Sequence, residues 1–123
     1  MAEERTKKIS KRNLPLPIKR SVRASQEKKG EDILVLDLRG LASFTDFFII
    51  MHGNSPRQNV ALYENIEQEL KKGNLKPLSI EGKAHAEWIL MDYGSFIVHV
   101  FSKRAREYYS LEKLWGDAPK YIY

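Results

Sequence analysis

The chain has 123 residues, no cysteine, and 21 Lys/Arg against 16 Asp/Glu, a formal net charge of +5. That length predicts one domain with a core of its own, and the missing cysteines exclude disulfide frameworks, thiolate nucleophiles and cysteine zinc sites. The charge is unevenly placed: residues 1–29 carry ten Lys/Arg against three Glu, a net of +7, which leaves the remainder at −2.

Basic character therefore belongs to the N-terminal end. Residues 1–17 are charged and polar, with Pro15 and Pro17 interrupting any helix, and too few apolar side chains to fold alone. The expectation is a basic, disordered arm over 1–17 and a single domain over 18–123. The arm has no apolar region of the secretory type, and Glu3 and Glu4 make it a poor organelle transit peptide. No apolar run approaches the ~20 residues needed to span a bilayer. A soluble, cytoplasmic protein with no membrane partner is expected. The arm is suited to a contact with RNA or another polyanion without base specificity, or to solubility alone, which is the blander reading.

A short helix is predicted from Ile18 to Lys29, with Gly30 as its stop. Asp32 to Leu38 reads as a strand, and Phe47 to Met51 as a second, both apolar at successive positions and so buried on both faces. His52-Gly53-Asn54-Ser55-Pro56 turns into a helix with Ser55 as N-cap and Pro56 at the first helical position. That helix should run to about Lys72, burying Leu62, Ile66 and Leu70, four apart, with Tyr63 beside them. Pro77 to Ile80 reads as a short strand. Trp88 to Met91 and Phe96 to Phe101 then form an antiparallel hairpin across Asp92-Tyr93-Gly94-Ser95. Neither hairpin strand alternates cleanly, so both sheet faces should be at least partly covered by helices or by a partner. A terminal amphipathic segment from Arg106 to Trp115 closes the chain. The fold class is α/β: a mixed sheet of about five strands flanked by helices.

The acid–base candidates are Asp37, Asp46, Glu81, Asp92 and His99. They are scattered, and no D-x-D pair is present to hold magnesium. Gly53-Asn54-Ser55 before a helix could cradle a phosphate on free backbone N–H groups, but the established glycine-rich motifs are absent and an ordinary cap is the stronger reading. Thr45-Asp46 should brace a turn through nearby backbone N–H groups. His52, His85 and His99 show no paired metal-ligand spacing. Core packing is the default for Trp88, Tyr93, Tyr108, Tyr109 and Trp115. Trp88 beside a turn that presents Asp92 and Tyr93 is the least bland combination, since a large flat anchor with a charged rim suits a protein interface.

Several stretches, in order, resemble a known family: Lys28-Lys29-Gly30-Glu31-Asp32-Ile33, Ser43-Phe44-Thr45-Asp46-Phe47-Phe48-Ile49-Ile50, Gly53-Asn54-Ser55-Pro56-Arg57-Gln58 and Glu81-Gly82. Trp88-Ile89-Leu90-Met91-Asp92-Tyr93-Gly94, Val98-His99-Val100-Phe101 and Arg106 to Trp115 continue the pattern. Together they resemble the ribosomal silencing factor family, also called RsfS or Iojap-like, over nearly all of residues 18–115. The resemblance implies a domain similar to nucleotidyltransferases but lacking their catalytic carboxylates, with no enzymatic activity, no cofactor and no metal. It also implies docking on the fourteenth protein of the large ribosomal subunit, a block on joining of the small subunit, and repression of translation when nutrients are scarce. The contact surface it implies comprises Trp88, Met91, Asp92, Tyr93 and Gly94; relatives vary between tyrosine and leucine at Tyr93, so its ring should matter more than its hydroxyl. Self-association as a homodimer is a further implication. The rival reading is a nucleotide-binding enzyme on the same scaffold.

Overall fold

The computed structural model describes residues 8–123. One six-stranded sheet organises the chain, in the order β3-β4-β5-β2-β1-β6. The strands are β1 (Glu31–Asp37), β2 (Phe47–Gly53), β3 (Ser79–Glu81), β4 (Trp88–Asp92), β5 (Phe96–Ser102) and β6 (Lys120–Ile122). The helices are α1 (Leu16–Glu27), α2 (Pro56–Lys72), α3 (Lys103–Tyr109) and α4 (Leu111–Leu114). Only the central pair, β2 with β5, is parallel; the other four pairings are antiparallel. The mixed sheet agrees with the sequence reading, with β6 as an additional strand that pairs Tyr121 with Val35.

Burial follows the composition of each strand. β2 is buried at all seven positions and β5 at six of seven, as continuous apolar runs require. β4 instead alternates: Ile89 and Met91 are buried, while Trp88, Leu90 and Asp92 are half-open. The sheet thus has two different faces. On one, α1 and α2 lie over Val35, Ile49, Met51, Ile89, Met91 and Val98, contributing Ile18, Val22, Leu62, Ile66 and Leu70. On the other, Leu34, Leu36, Phe48, Ile50, Ile97 and Phe101 meet only the short C-terminal helices and adjoining loops, through Ala105, Leu111, Trp115 and Ala118.

The long helix starts as its sequence dictates. Ser55 Oγ accepts from the Gln58 amide at 3.0 Å, and Pro56 occupies the first turn, where its missing N–H costs nothing. At its other end Gly73 N–H returns to the Leu70 carbonyl. Residues 8–17, which the sequence places in the disordered arm, carry a 3-10 turn (Lys11–Asn13) and the start of α1. Leu14 is the apolar anchor there, buried in the helix-side core, and Ile9 N–H donates to Tyr121 Oη at 3.0 Å. Pro17 does not interrupt the helix because it falls in the first turn. The expectation for residues 1–7 lies outside the described residues.

Candidate functional site

The face of the sheet away from α1 and α2 gathers most of the aromatic side chains. Trp88, on β4, lies between Phe101 on the neighbouring strand and Tyr109 on α3, with ring centroids 5.0 and 4.6 Å away. Tyr108 meets Tyr109 edge-on at 5.0 Å. Farther across the sheet, Phe48 contacts His99, Trp115 and Phe44 at 4.4, 6.2 and 6.1 Å. The cover is incomplete, because α3 and α4 are short: Phe44 is 58% exposed, Tyr108 81%, Tyr109 48% and Leu114 72%. Large apolar groups left open together on one face mark an interaction surface more than single exposed residues do.

His99 fixes the tryptophan. Its Nδ1 accepts the Trp88 indole N–H at 3.1 Å, so the neutral ring carries its proton on Nε2. Burial pushes the His99 pKa down to about 3, which keeps the acceptor available at neutral pH. Trp88 is thereby held in one orientation by a strand on one side, a helix on the other and a hydrogen bond behind it.

The hairpin turn is built beside this face. Gly94 takes φ +84°, its N–H donates to Asp92 Oδ1 at 2.8 Å, and Tyr93 N–H closes onto the Phe96 carbonyl. Thr45 braces this turn, though not through nearby backbone N–H groups as expected: its hydroxyl donates to the Gly94 carbonyl, 49 residues along the chain, at 2.9 Å. Asp46 N–H donates to the Ser95 carbonyl from the same loop. Before β4, Gly82 takes φ +85°, and a Cβ there would lie 2.0 Å from the Trp88 carbonyl oxygen, so the approach to Trp88 admits glycine alone.

The five residues singled out from the sequence do not share one surface. Trp88 and Asp92 are half-open on the aromatic side, with Gly94 at the turn. Met91 is wholly buried on the opposite face, under the helices, because successive strand residues point to opposite sides. Tyr93 is also in that helix-side core, stacked on Phe96 at 4.8 Å, and burial raises its hydroxyl pKa. Leu90, the position on β4 that shares a face with Trp88, and Phe44 belong to the surface and were not singled out; the period-two pattern of β4 was the signal for Leu90.

A polar clasp holds the incomplete cover in place. Arg106 on α3 donates from Nη1 to His52 Nδ1 at 3.0 Å and from Nε and Nη2 to Glu112 Oε1 at 3.2 and 3.1 Å. Burial, then the Arg106 charge, lower the His52 pKa, consistent with an imidazole that accepts a hydrogen bond from a guanidinium. The clasp borders a cleft of about 480 Å³ lined by both signs of charge, including Asp32, Lys103, Glu107 and Lys113.

The acid–base candidates are dispersed. Asp37 is buried and pairs with the Arg39 guanidinium at 2.8 Å, whose pKa the hydrogen bond raises. Among the described residues no three His, Asp or Glu side chains converge as metal ligands would. The Gly53-Asn54-Ser55 loop is an ordinary cap: Gln58 accepts the Asn54 N–H at 2.7 Å and donates to the Lys28 and Lys29 carbonyls.

Residues 12–122 match the family model described as ribosomal silencing factor during starvation. The ribosomal silencing factor of Bacillus subtilis is 43% identical over 102 residues, 83% of this chain and 86% of that one. The corresponding factor of Haemophilus influenzae is 47% identical over 88 residues, 72% of this chain and 86% of its own length. A crystal structure of a Chromobacterium violaceum protein superimposes with a TM-score of 0.79 at 36% identity, covering 81% of this chain and 83% of that one. The chain belongs to the ribosomal silencing factor family.

Proposed function

We propose that this protein represses translation in the cytoplasm by binding the large ribosomal subunit and sterically blocking the small one, with no catalysis of its own. The partner is the fourteenth protein of the large subunit, and the docking surface is the aromatic face centred on Trp88, with Leu90, Tyr109 and Asp92 around it. The observation that carries this reading is the orientation of Trp88, a large anchor locked by His99, Phe101 and Tyr109 at the edge of an incompletely covered apolar face. Preorganised aromatic anchors surrounded by a polar rim are what binding hot spots require. Met91 and Tyr93 act from beneath, by holding β4 and its turn against the helix-side core. A second contact to ribosomal RNA comes from the basic N-terminal region, and a homodimer would cover the same open face.

The test combines binding and joining. Full-length protein added to isolated large subunits before small subunits should lower the yield of joined ribosomes in sedimentation, and should do much less when added afterwards. Trp88→Ala should weaken binding by ~2 kcal/mol or more and relieve the block in proportion, because occupancy alone sets the effect. Normal joining at demonstrated saturation would refute the exclusion mechanism. Micromolar binding of a magnesium nucleotide, with turnover lost in Asp92→Ala, would instead favour an enzyme.

A further inference from the structure

Residues 8–26 contain Lys8, Lys11, Arg12, Lys19, Arg20 and Arg23 and not one Asp or Glu. The fold leaves these cations on the surface along the approach to α1 and its outer side, Lys19 half-buried and the rest exposed. The segment before α1 is tied down at Ile9 and Leu14, and Lys19 Nζ donates to the Arg12 carbonyl at 2.8 Å, which sets Arg12 beside the first turns of the helix. Ile18, Ser21, Val22, Ala24 and Ser25 take the buried side of α1, leaving Arg20 and Arg23 outside. α1 packs on α2, where Asn65 Nδ2 donates to the Ala24 carbonyl at 2.9 Å. At the far end of that packing Arg20 lies against Gly73, next to Lys71 and Lys72. Among the described residues, none of the six cations is paired with a carboxylate.

We infer that this surface binds the phosphate backbone of double-helical RNA, without reading its bases. Unpaired Lys and Arg on a folded surface release counterions from a polyphosphate, a gain that no neutral partner offers. The strip itself, residues 8–26, holds no Phe, Tyr or Trp, and the two rings beside it, buried Tyr121 and half-buried Tyr123, lie under Lys8 and Lys11. It therefore presents no open platform for stacking single-stranded bases, whereas duplex RNA is recognised largely by shape and backbone. α1 and the aromatic face lie on opposite sides of the sheet, so RNA and the protein partner would bind at once rather than compete. That the RNA is ribosomal rests on the proposed function. Backbone binding as such does not.

The experiment is a fluorescence-anisotropy titration of the full chain against a labelled RNA hairpin with a stem of about 20 base pairs, a length that offers the strip several phosphates, at several potassium chloride concentrations. Three to five phosphate contacts predict a slope of log affinity against log salt of about −2.7 to −4.5. The triple variant Arg12→Glu, Arg20→Glu, Arg23→Glu should lose at least about tenfold in affinity at low salt and flatten that slope, with an unchanged circular-dichroism melt. Trp88→Ala should leave RNA affinity untouched while losing the large subunit, so the two readings fail separately. Wild-type affinity in a folded triple variant would overturn the inference. So would equal affinity for polyglutamate or for phosphatidylserine vesicles, or loss of RNA binding on removal of residues 1–7 alone. If the triple variant does not fold, the single variants Arg20→Glu and Arg23→Glu, each expected to cost a few-fold, carry the same test.

Discussion

Lowering the pH from 7 to 5 should destabilise this protein by an amount that can be assigned mainly to one side chain, His99. In the folded chain burial pushes its pKa from 6.5 to about 3, and its Nδ1 already accepts the Trp88 indole N–H. The unfolded chain therefore binds a proton that the folded chain refuses, so stability from this group is fully present above 6.5 and is lost as pH falls toward 3. Each pH unit in that window costs about 1.4 kcal/mol, or about 2 kcal/mol by pH 5. His52, whose pKa is also lowered, acts in the same direction. Urea unfolding at half-unit intervals from pH 7.5 to 4.5 measures the slope. His99→Gln keeps an acceptor for the indole but removes the titration; whatever it costs at pH 7, its curve should be flatter than wild type by about 1.4 kcal/mol per unit below pH 6. Parallel curves would refute a buried neutral His99. The folded chain keeps His99 neutral over this range, so the acceptor that orients Trp88 persists and the partner affinity of the folded protein should not change through this group.

Gly82→Ala should destabilise by at least ~2 kcal/mol in a thermal melt, since the left-handed backbone is costly for alanine and the new Cβ would press on the Trp88 carbonyl. Arg106→Ala should cost about 2–3 kcal/mol in urea unfolding, below the ~3–5 kcal/mol of a fully buried pair, because the Glu112 side chain it leaves behind is 30% exposed. Arg106→Lys should restore little of that, as an ammonium cannot span His52 and Glu112 with the geometry of a fork. Ser55→Ala should remove ~1 kcal/mol by uncapping α2, with no effect on partner affinity, since the cap lies at the start of α2 and not on the aromatic face; a matching loss of binding would show that the surface is assigned to the wrong side.

How far the sequence could carry these conclusions depends on whether the information was local. The runs Ile33 to Leu36, Phe47 to Met51 and Phe96 to Phe101 are apolar at nearly every position, and no other arrangement than a sheet covered on both faces would hide them. α2 announced itself by Ser55-Pro56 and by Leu62, Ile66 and Leu70 four apart. β6 had no such signal. Lys120-Tyr121-Ile122 is three residues long, and it is a strand only because β1 offers Leu34, Val35 and Leu36 as partners 86 residues back along the chain at the central pair. The break between α3 and α4 was equally silent, being made by Ser110 in the left-handed region, φ 48°, rather than by glycine or proline.

The candidate surface shows the same division more sharply. Trp88 and the turn after it stood out as a large flat anchor beside a charged rim, and the contact surface implied by the family resemblance took in Met91, whose side of the strand is decided by period two. Phe44 and Tyr109, 44 and 21 residues from Trp88, reach the same face by tertiary packing alone. What distinguishes a docking face from a core is not the residues that form it but how much of them the rest of the chain covers. Here α1 and α2, 12 and 17 residues long, close one face of the sheet, while α3 and α4, seven and four residues long, are too short to close the other. The apolar runs on β2 and β5 are hidden on both sides by the chain itself, so the opening falls at β4 and at the rim, where Trp88 and Leu90 are half-open and Phe44, Tyr108, Tyr109 and Leu114 are exposed, an arrangement that suits contact with another molecule.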